Sequence, residues 1–62
     1  MKYTVNLRVS TREYVVAKPY EVSAGNKKSA EAIAAAMALD KHGRDSVTEI
    51  SVISAAEVRA NA

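Results

Sequence analysis

A chain of 62 residues with nine basic side chains, seven acidic side chains and no cysteine has room for one domain and carries a net charge of +2. Without cysteine it cannot form disulfides or thiolate metal sites, and its single His is too few for a metal site built from imidazoles. So small an excess of charge gives no argument for nucleic acid. A domain of this size is marginally stable alone, so we expect self-association or docking on a larger partner.

The first strand is predicted over residues 2–10, in which apolar and polar side chains alternate without interruption. The apolar positions are Tyr3, Val5, Leu7 and Val9. Such a period of two indicates a strand with one buried face and one polar face. Because the alternation begins at Lys2, no signal peptide is expected, and no segment has the length of a membrane span. We therefore expect a cytoplasmic protein without a membrane partner.

The second strand is predicted over residues 13–23 and forms a β-hairpin with the first. Its pattern is less regular, because Lys18 interrupts the face that should be buried. A β-bulge near Lys18 and Pro19 would restore the pattern by turning Val15 and Ala17 inward before it and Tyr20 and Val22 inward after it. Pro19 cannot donate a hydrogen bond to a ladder, so this strand is predicted at an edge of the sheet or at that bulge.

A helix is predicted from Lys27 to His42, because Asn26 is a good N-cap for the alanine-rich run and Gly43 follows two basic residues. Counting 100° per residue from a centre at Ile33 predicts the buried stripe. The stripe contains Ile33, Ala30, Met37 and, less centrally, Ala34.

A second apolar surface is predicted on another flank of the same helix, and it is the candidate protein interface. It contains Ala32, Ala35, Ala36 and Leu39. Small side chains allow another backbone to come close, which suits a dimer or docking on a host protein. The alternative is that alanine is simply the best helix former and is often exposed without a partner.

The third strand is predicted over residues 46–54, with Ile50 and Val52 facing inward. The segment Ser54-Ala55-Ala56-Glu57 has the spacing of a capping box, in which the Ser and Glu side chains satisfy each other's backbone donors. It predicts a short C-terminal helix from Ala55 to about Ala60, with a frayed tail as the alternative.

Together the elements predict one ββαβ domain of the α+β class over residues 1–62. Its three antiparallel strands have the order 2-1-3, because Pro19 places the second strand at an edge and the regular first strand suits the centre. One alanine-rich helix covers one face of the sheet, and the other face stays bare. That bare face carries the polar side chains of the first strand, so we expect it to be solvated, with cross-strand ion pairs.

Nucleic acid is an alternative partner, and four basic residues are the candidate contacts to its phosphates. They are Lys27 and Lys28 in the first helical turn, Arg8 on the bare sheet face and Arg44 after the helix. Free N–H groups at a helix N-terminus can bind an anion, but two solvated lysines are the simpler interpretation. The bare face also lacks the outward aromatic residues that stack bases, so nucleic acid is not the favoured partner.

No catalytic, cofactor-binding or metal-ligating residue is predicted. His42 lies in the last helical turn, where a positive charge favours the helix dipole. Glu31 and Asp40 are single carboxylates, and no pattern pairs a nucleophile with a base. Since acid–base and nucleophilic mechanisms need such pairs, we expect a protein that is not an enzyme and has no cofactor.

The layout of the chain resembles that of small phage and mobile-element proteins, including some anti-CRISPR proteins. The resemblance rests on the hairpin, on the helix that begins Asn26-Lys27-Lys28-Ser29-Ala30-Glu31, and on the closing strand Thr48-Glu49-Ile50-Ser51-Val52. It covers most of the chain by layout alone and carries no diagnostic motif, so no functional residue is transferred. It implies a non-enzymatic inhibitor that covers a surface of a host complex, such as a CRISPR effector, in the host cytoplasm.

We therefore predict a binding module that acts through protein–protein interaction, with a homodimer as the expected oligomer. The alternatives are a nucleic-acid-binding protein and a structural subunit of a larger assembly. Binding to duplex that collapses as salt rises would favour the nucleic-acid alternative.

Overall fold

The computed structural model describes residues 1–58 and shows one helix packed on one face of a three-stranded antiparallel sheet. The elements are β1 (Lys2–Thr11), β2 (Val15–Ser23), α1 (Lys27–His42) and β3 (Val47–Val58). The strand order is β2-β1-β3, and both strand pairs are antiparallel. The predicted α+β class, the ββαβ order and the order of the strands in the sheet are confirmed.

β1 lies at the centre of the sheet because its alternation supplies one fully apolar face. Val5, Leu7 and Val9 are completely buried, and Tyr3 is almost completely buried. The polar residues lie on the opposite face, where Arg8 is exposed. The period of two therefore matches a strand that is paired on both sides and covered by a helix on one face.

α1 begins and ends at the predicted residues. The side chain of Asn26 accepts a hydrogen bond of 2.8 Å from the backbone N–H of Ser29, as a helix N-cap does. Gly43 has a φ of 85°, a left-handed value that favours glycine, and its N–H donates to the carbonyl of Leu39 at 2.9 Å. Both caps depend on only a few neighbouring residues, so the local sequence is sufficient to predict where this helix begins and ends.

The buried stripe of α1 is made of three alanines, Ala30, Ala34 and Ala38. The predicted centre at Ile33 is wrong, because Ile33 and Met37 are 40% and 42% exposed. Alanine side chains let the helix backbone lie close to the sheet, so the larger side chains of the sheet fill the layer between them. Longer side chains of the helix then fit only at its flanks.

β2 pairs with β1 in one continuous register. The predicted bulge near Lys18 and Pro19 is wrong, and so is the inward orientation of Val15 and Ala17, which are exposed. Lys18 lies on the helix-facing side, but at an edge strand its long side chain reaches solvent without any break in the register. The predicted placement of Pro19 at a sheet edge is confirmed, since the outer side of an edge strand needs no donor.

The irregular strand is β3, whose pairing with β1 shifts at two places. One shift leaves Ile53 and the other leaves Thr48 without a residue opposite. β3 continues to Val58, so the helix predicted from Ala55 is wrong for residues 55–58, and the rest of that predicted helix lies outside the described residues. Pairing with β1 supplies hydrogen-bond partners along this segment, whereas so short a helix is marginal in water.

Candidate protein interface

β3 is the longest strand, and none of its side chains is fully buried. Ile50 and Ala55 are half-buried against the core, whereas Val52 and Ile53 are 42% and 58% exposed. The strand is hydrogen-bonded to β1 on one side and lies at the edge of the sheet on the other. Much of its apolar surface is therefore open to solvent.

The outer side of β3 presents backbone N–H and C=O groups that have no strand beside them within residues 1–58. Soluble proteins usually blunt such an edge with lysine, proline or a bulge. The stretch Val47–Val58 contains no lysine, arginine or proline, and every residue between Glu49 and Glu57 is uncharged. The two register shifts interrupt the strand, but they leave residues 54–58 in unbroken pairing. Apart from these shifts, the outer side of β3 lacks the basic residues and proline that natural edge strands use against pairing.

The helix-facing side of β3 is the more apolar side. Opposite residues in a sheet share a face, so the β3 residues opposite the buried side chains of β1 face α1. These residues are Ile50, Val52, Ala55 and Glu57. On the other face Ser54 accepts a hydrogen bond of 2.9 Å from the side-chain amide of Asn6. The apolar part of the edge therefore continues into the space beside the helix.

The four residues of the predicted interface on α1 differ in exposure. Ala32 and Ala36 are exposed on the side of the helix that faces away from the sheet, whereas Ala35 and Leu39 are half-buried. Met37 lines a groove beside β2, and Leu39 follows it by two residues, which is about 200° around the helix. Ala35 and Leu39 therefore lie on the half of the helix turned away from that groove, and Ala32, which is about 20° from Leu39 around the helix, lies on the same half.

Val52 and Ile53 are residues of this edge that the predicted interface lacks. The sequence carries a signal for them, because the predicted strand order puts the third strand at an edge and its middle holds no charge. Because Val52 is predicted to face inward, it is expected to be buried under the helix and is not counted as part of an exposed edge. It does face α1, but the helix leaves it 42% exposed.

A groove of about 550 Å³ lies between β2 and the C-terminal half of α1. Its lining combines Pro19, Tyr20 and Met37 with two lysines and two carboxylates. The Tyr20 hydroxyl is buried and has no hydrogen-bond partner within residues 1–58. The formal charges of the lining therefore sum to zero.

The four predicted nucleic-acid contacts lie on three separate surfaces. Lys27 and Lys28 are exposed in the first turn of α1, and Arg44 is exposed just after the last turn. At 1.5 Å per residue, the 16-residue helix separates these two ends by about 24 Å. Arg8 is exposed on the face of the sheet opposite the helix. The structure therefore brings the two lysines together and keeps both arginines apart from them.

Any cross-strand ion pair on the bare face of the sheet is diagonal in the described register. Arg8 lies between Ala17 and Ser51, so the residues directly opposite it are uncharged. Glu21 and Glu49 are placed diagonally from the basic residues of β1, at separations of about 7–8 Å for such positions. The aromatic side chains within the strands are buried on the other face, so the bare face has no platform for stacked bases.

Tyr14 and His42 form a polar contact between the hairpin turn and the last turn of α1. The Tyr14 hydroxyl lies 3.0 Å from Nδ1 of His42, and the two rings meet edge to face. The other ring nitrogen of His42 is buried without a partner in the described part of the chain. Residues 1–58 also hold no group of three His, Cys, Asp or Glu side chains that could bind a metal ion. The Tyr14–His42 contact therefore connects the hairpin turn to the C-terminal end of α1.

No helix within residues 1–58 is both long enough and apolar enough to cross a lipid bilayer. Comparison of the chain with protein-family models, with curated proteins and with solved structures found no match. The resemblance to phage and mobile-element inhibitors therefore stays a prediction from layout, and the functional argument rests on the surfaces of the molecule.

Proposed function

We propose that this protein is a non-enzymatic protein-binding module that adds an extended segment of its partner to the open edge of β3. The observation that supports this function best is the uncharged edge between Glu49 and Glu57, where Val52 and Ile53 are exposed. Strand addition uses backbone hydrogen bonds for affinity and alternate side chains for specificity. A long apolar edge without a partner is an aggregation hazard, so a partner that covers it also explains how the chain tolerates it.

The affinity of this edge depends on its side chains as well as on its backbone. A backbone hydrogen bond contributes about 0.5–1.5 kcal/mol net, and covering a large apolar side chain completely contributes about 1.5–3 kcal/mol. Association costs about 4–15 kcal/mol in lost freedom. Stable binding therefore needs the exposed parts of Val52 and Ile53 as well as the backbone groups of the edge.

Nucleic acid is the second candidate partner, and the observation in its favour is the pair Lys27 and Lys28 beside the free N–H groups of α1. Phosphate contacts dominate such binding, and two lysines apart from both arginines supply few of them. We expect weak binding that salt abolishes, and we expect the double variant Lys27→Glu, Lys28→Glu to remove it without loss of fold, because carboxylates suit a helix N-terminus. Sub-micromolar, salt-dependent binding of duplex by the wild type would favour this candidate over strand addition.

The proposed function is tested by partner capture in the cells that encode the protein, with wild type compared with Ile53→Lys. Lysine is a residue that natural edge strands use against strand addition. Val15→Lys is the matched control, because Val15 is 54% exposed on the β2 edge and Ile53 is 58% exposed on the β3 edge. Partners bound at β3 should be lost with Ile53→Lys, be kept with Val15→Lys, and resist added salt. Equal capture by wild type and Ile53→Lys would show that β3 is not the binding edge.

A further inference from the structure

We propose that the strand added to β3 is β3 of a second copy, so that the protein forms a two-fold dimer with one six-stranded sheet. This inference rests on the proposed function, because it names the occupant of the same edge. An antiparallel edge is complementary to itself, since a two-fold rotation brings its row of N–H and C=O groups onto the same row of the copy. The uncharged middle of β3 lets the two copies meet without like charges opposite each other.

The symmetry of this dimer also explains why no third copy is added. Antiparallel pairing of β3 with its copy requires a two-fold axis normal to the sheet, so the strand order becomes β2-β1-β3-β3′-β1′-β2′ and both helices lie on one face. The outer edges are then the two β2 strands, each of which carries Lys18, Pro19 and Glu21. Charged residues and proline oppose further strand addition, so the assembly stops at two copies and does not grow into a filament.

The space between the two helices fits the side chains that a single copy leaves uncovered. Neighbouring strands are about 4.8 Å apart, so helices centred over the two β1 strands lie about 14 Å apart. Helices in direct contact are about 8–10 Å apart, and the difference leaves room for a layer of side chains. Val52 on the helix-facing side of β3 borders that space in both copies, and Leu39 lies on the half of α1 turned away from β2. Pairing of the edges therefore covers apolar groups that the single copy exposes.

The register in which β3 pairs with β3 of the second copy follows from which β3 residues face the helix. Directly opposite residues share a face, and Ile53 is the extra residue of its bulge. With the two-fold axis at Val52, that residue lies opposite its own copy, and Ile50 lies opposite Ala55 of the second copy. All three residues face the helix. Glu49 and Glu57 then lie toward the ends of the paired segment, where no carboxylate of the second copy is opposite them.

The oligomeric state in sedimentation experiments over a range of concentrations is the first test. Wild type should dimerise, Ile53→Lys should raise the dissociation constant of the dimer at least tenfold, and Val15→Lys should match wild type. Leu39→Glu should also weaken the dimer, whereas Ala36→Glu should not, because Ala36 faces away from the sheet. A monomer at every concentration, or a dimer that Ile53→Lys leaves unchanged, would overturn the proposal.

A covalent cross-link is the second test, and it detects pairing even where a variant changes stability. The chain has no cysteine, so Val52→Cys introduces a single thiol. Directly opposite Cα atoms in an antiparallel pair are about 4.5–5.5 Å apart, within the range of about 4.4–6.8 Å that a disulfide spans. Val52→Cys should form a disulfide-linked dimer under mild oxidation much faster than Val15→Cys. Equal rates for the two variants would overturn pairing at β3.

Failure of the dimer and failure of the proposed function give different results. If wild type is a monomer and Ile53→Lys still loses the captured partners, the dimer is overturned and strand addition to a different protein is kept. If wild type is a monomer and capture does not depend on Ile53, both are overturned. Circular dichroism of Ile53→Lys and Val15→Lys identifies any loss of binding that comes from unfolding.

Discussion

The two edges of the sheet are built differently, although both pair with the same central strand. β2 carries charged residues and Pro19 along its length and contributes Tyr20 and Val22 to the buried core. β3 has 12 residues against nine in β2, carries no lysine, arginine or proline within Val47–Val58, and contributes no fully buried side chain. The comparison shows that one edge is used for stability and protected against other strands, whereas the other is left available.

The asymmetry follows from how the helix covers the sheet. The alanine stripe brings α1 close to the sheet, and its short side chains extend little to either side. On the β2 side the large ring of Tyr20 packs into the core and is only 8% exposed. On the β3 side Val52 faces the helix but is too short to be covered by it. The same helix therefore completes the core toward one edge and leaves apolar surface at the other.

The largest effect is expected when the protection of the β2 edge is removed. The double variant Lys18→Ile, Pro19→Val makes this edge uncharged and restores a backbone donor, so that it resembles the β3 edge. The proposed dimer should then grow into large assemblies, which light scattering should detect as protein concentration rises. The triple variant that adds Ile53→Lys should return to small assemblies, because β3 pairing is then blocked. Unchanged scattering by the double variant would mean that these two residues do not protect the edge.

The next largest effect is expected from truncation of Leu7, a core side chain of the central strand that pairs with both edge strands. Leu7 is completely buried in the central strand, and a Leu→Ala change in a core costs about 2–5 kcal/mol. Because stabilities are about 5–15 kcal/mol even for ordinary domains, Leu7→Ala should be largely unfolded or have a strongly lowered denaturant midpoint. Ile33→Ala, at a position 40% exposed, should cost much less. Similar midpoints for the two variants would contradict the assigned core.

A larger side chain at Ala34 should disturb the close packing of α1 on the sheet. This residue is completely buried, so Ala34→Leu should overpack the layer between helix and sheet and cost about 1–3 kcal/mol. Ala36→Leu is the control on the same helix, because Ala36 is exposed and its substitution should stay within about 0.5 kcal/mol. Chemical denaturation measures both. Stabilisation by Ala34→Leu would mean that the layer contains unfilled space.

The smallest effect is expected from two hydroxyl groups near the β2 side. Tyr14→Phe removes the hydrogen bond to His42 and should lower the free energy of unfolding by about 0.5–1.5 kcal/mol. Tyr20→Phe removes a buried hydroxyl that has no partner within residues 1–58, so it should be neutral or slightly stabilising. The same denaturation assay compares them. A larger loss for Tyr20→Phe than for Tyr14→Phe would show that the Tyr20 hydroxyl does form a hydrogen bond.

The candidate interface on α1 stays a prediction, whereas the structure decides which residues of the helix are buried. Ala35 and Leu39 are half-buried, whereas Ala32 and Ala36 are exposed. The buried stripe itself is predicted wrongly, because the prediction centres it on Ile33, one residue from the centre at Ala34. One residue is 100° on a helix, enough to move a whole flank. The edge strand itself is missed because its exposure depends on how far the helix extends over it.

By itself the sequence determined that β1 is central, that β2 is an edge, and where α1 begins and ends. Alternation, proline and the caps at Asn26 and Gly43 act through the geometry of a few neighbouring residues, so they are readable without the fold. Only the tertiary structure decided the alanine stripe, the unbroken register of β2 and the extension of β3 to Val58. Those features depend on contacts between distant segments. A segment with the spacing of a helix cap becomes a strand because β1 offers it hydrogen-bond partners, and that pairing creates the open edge.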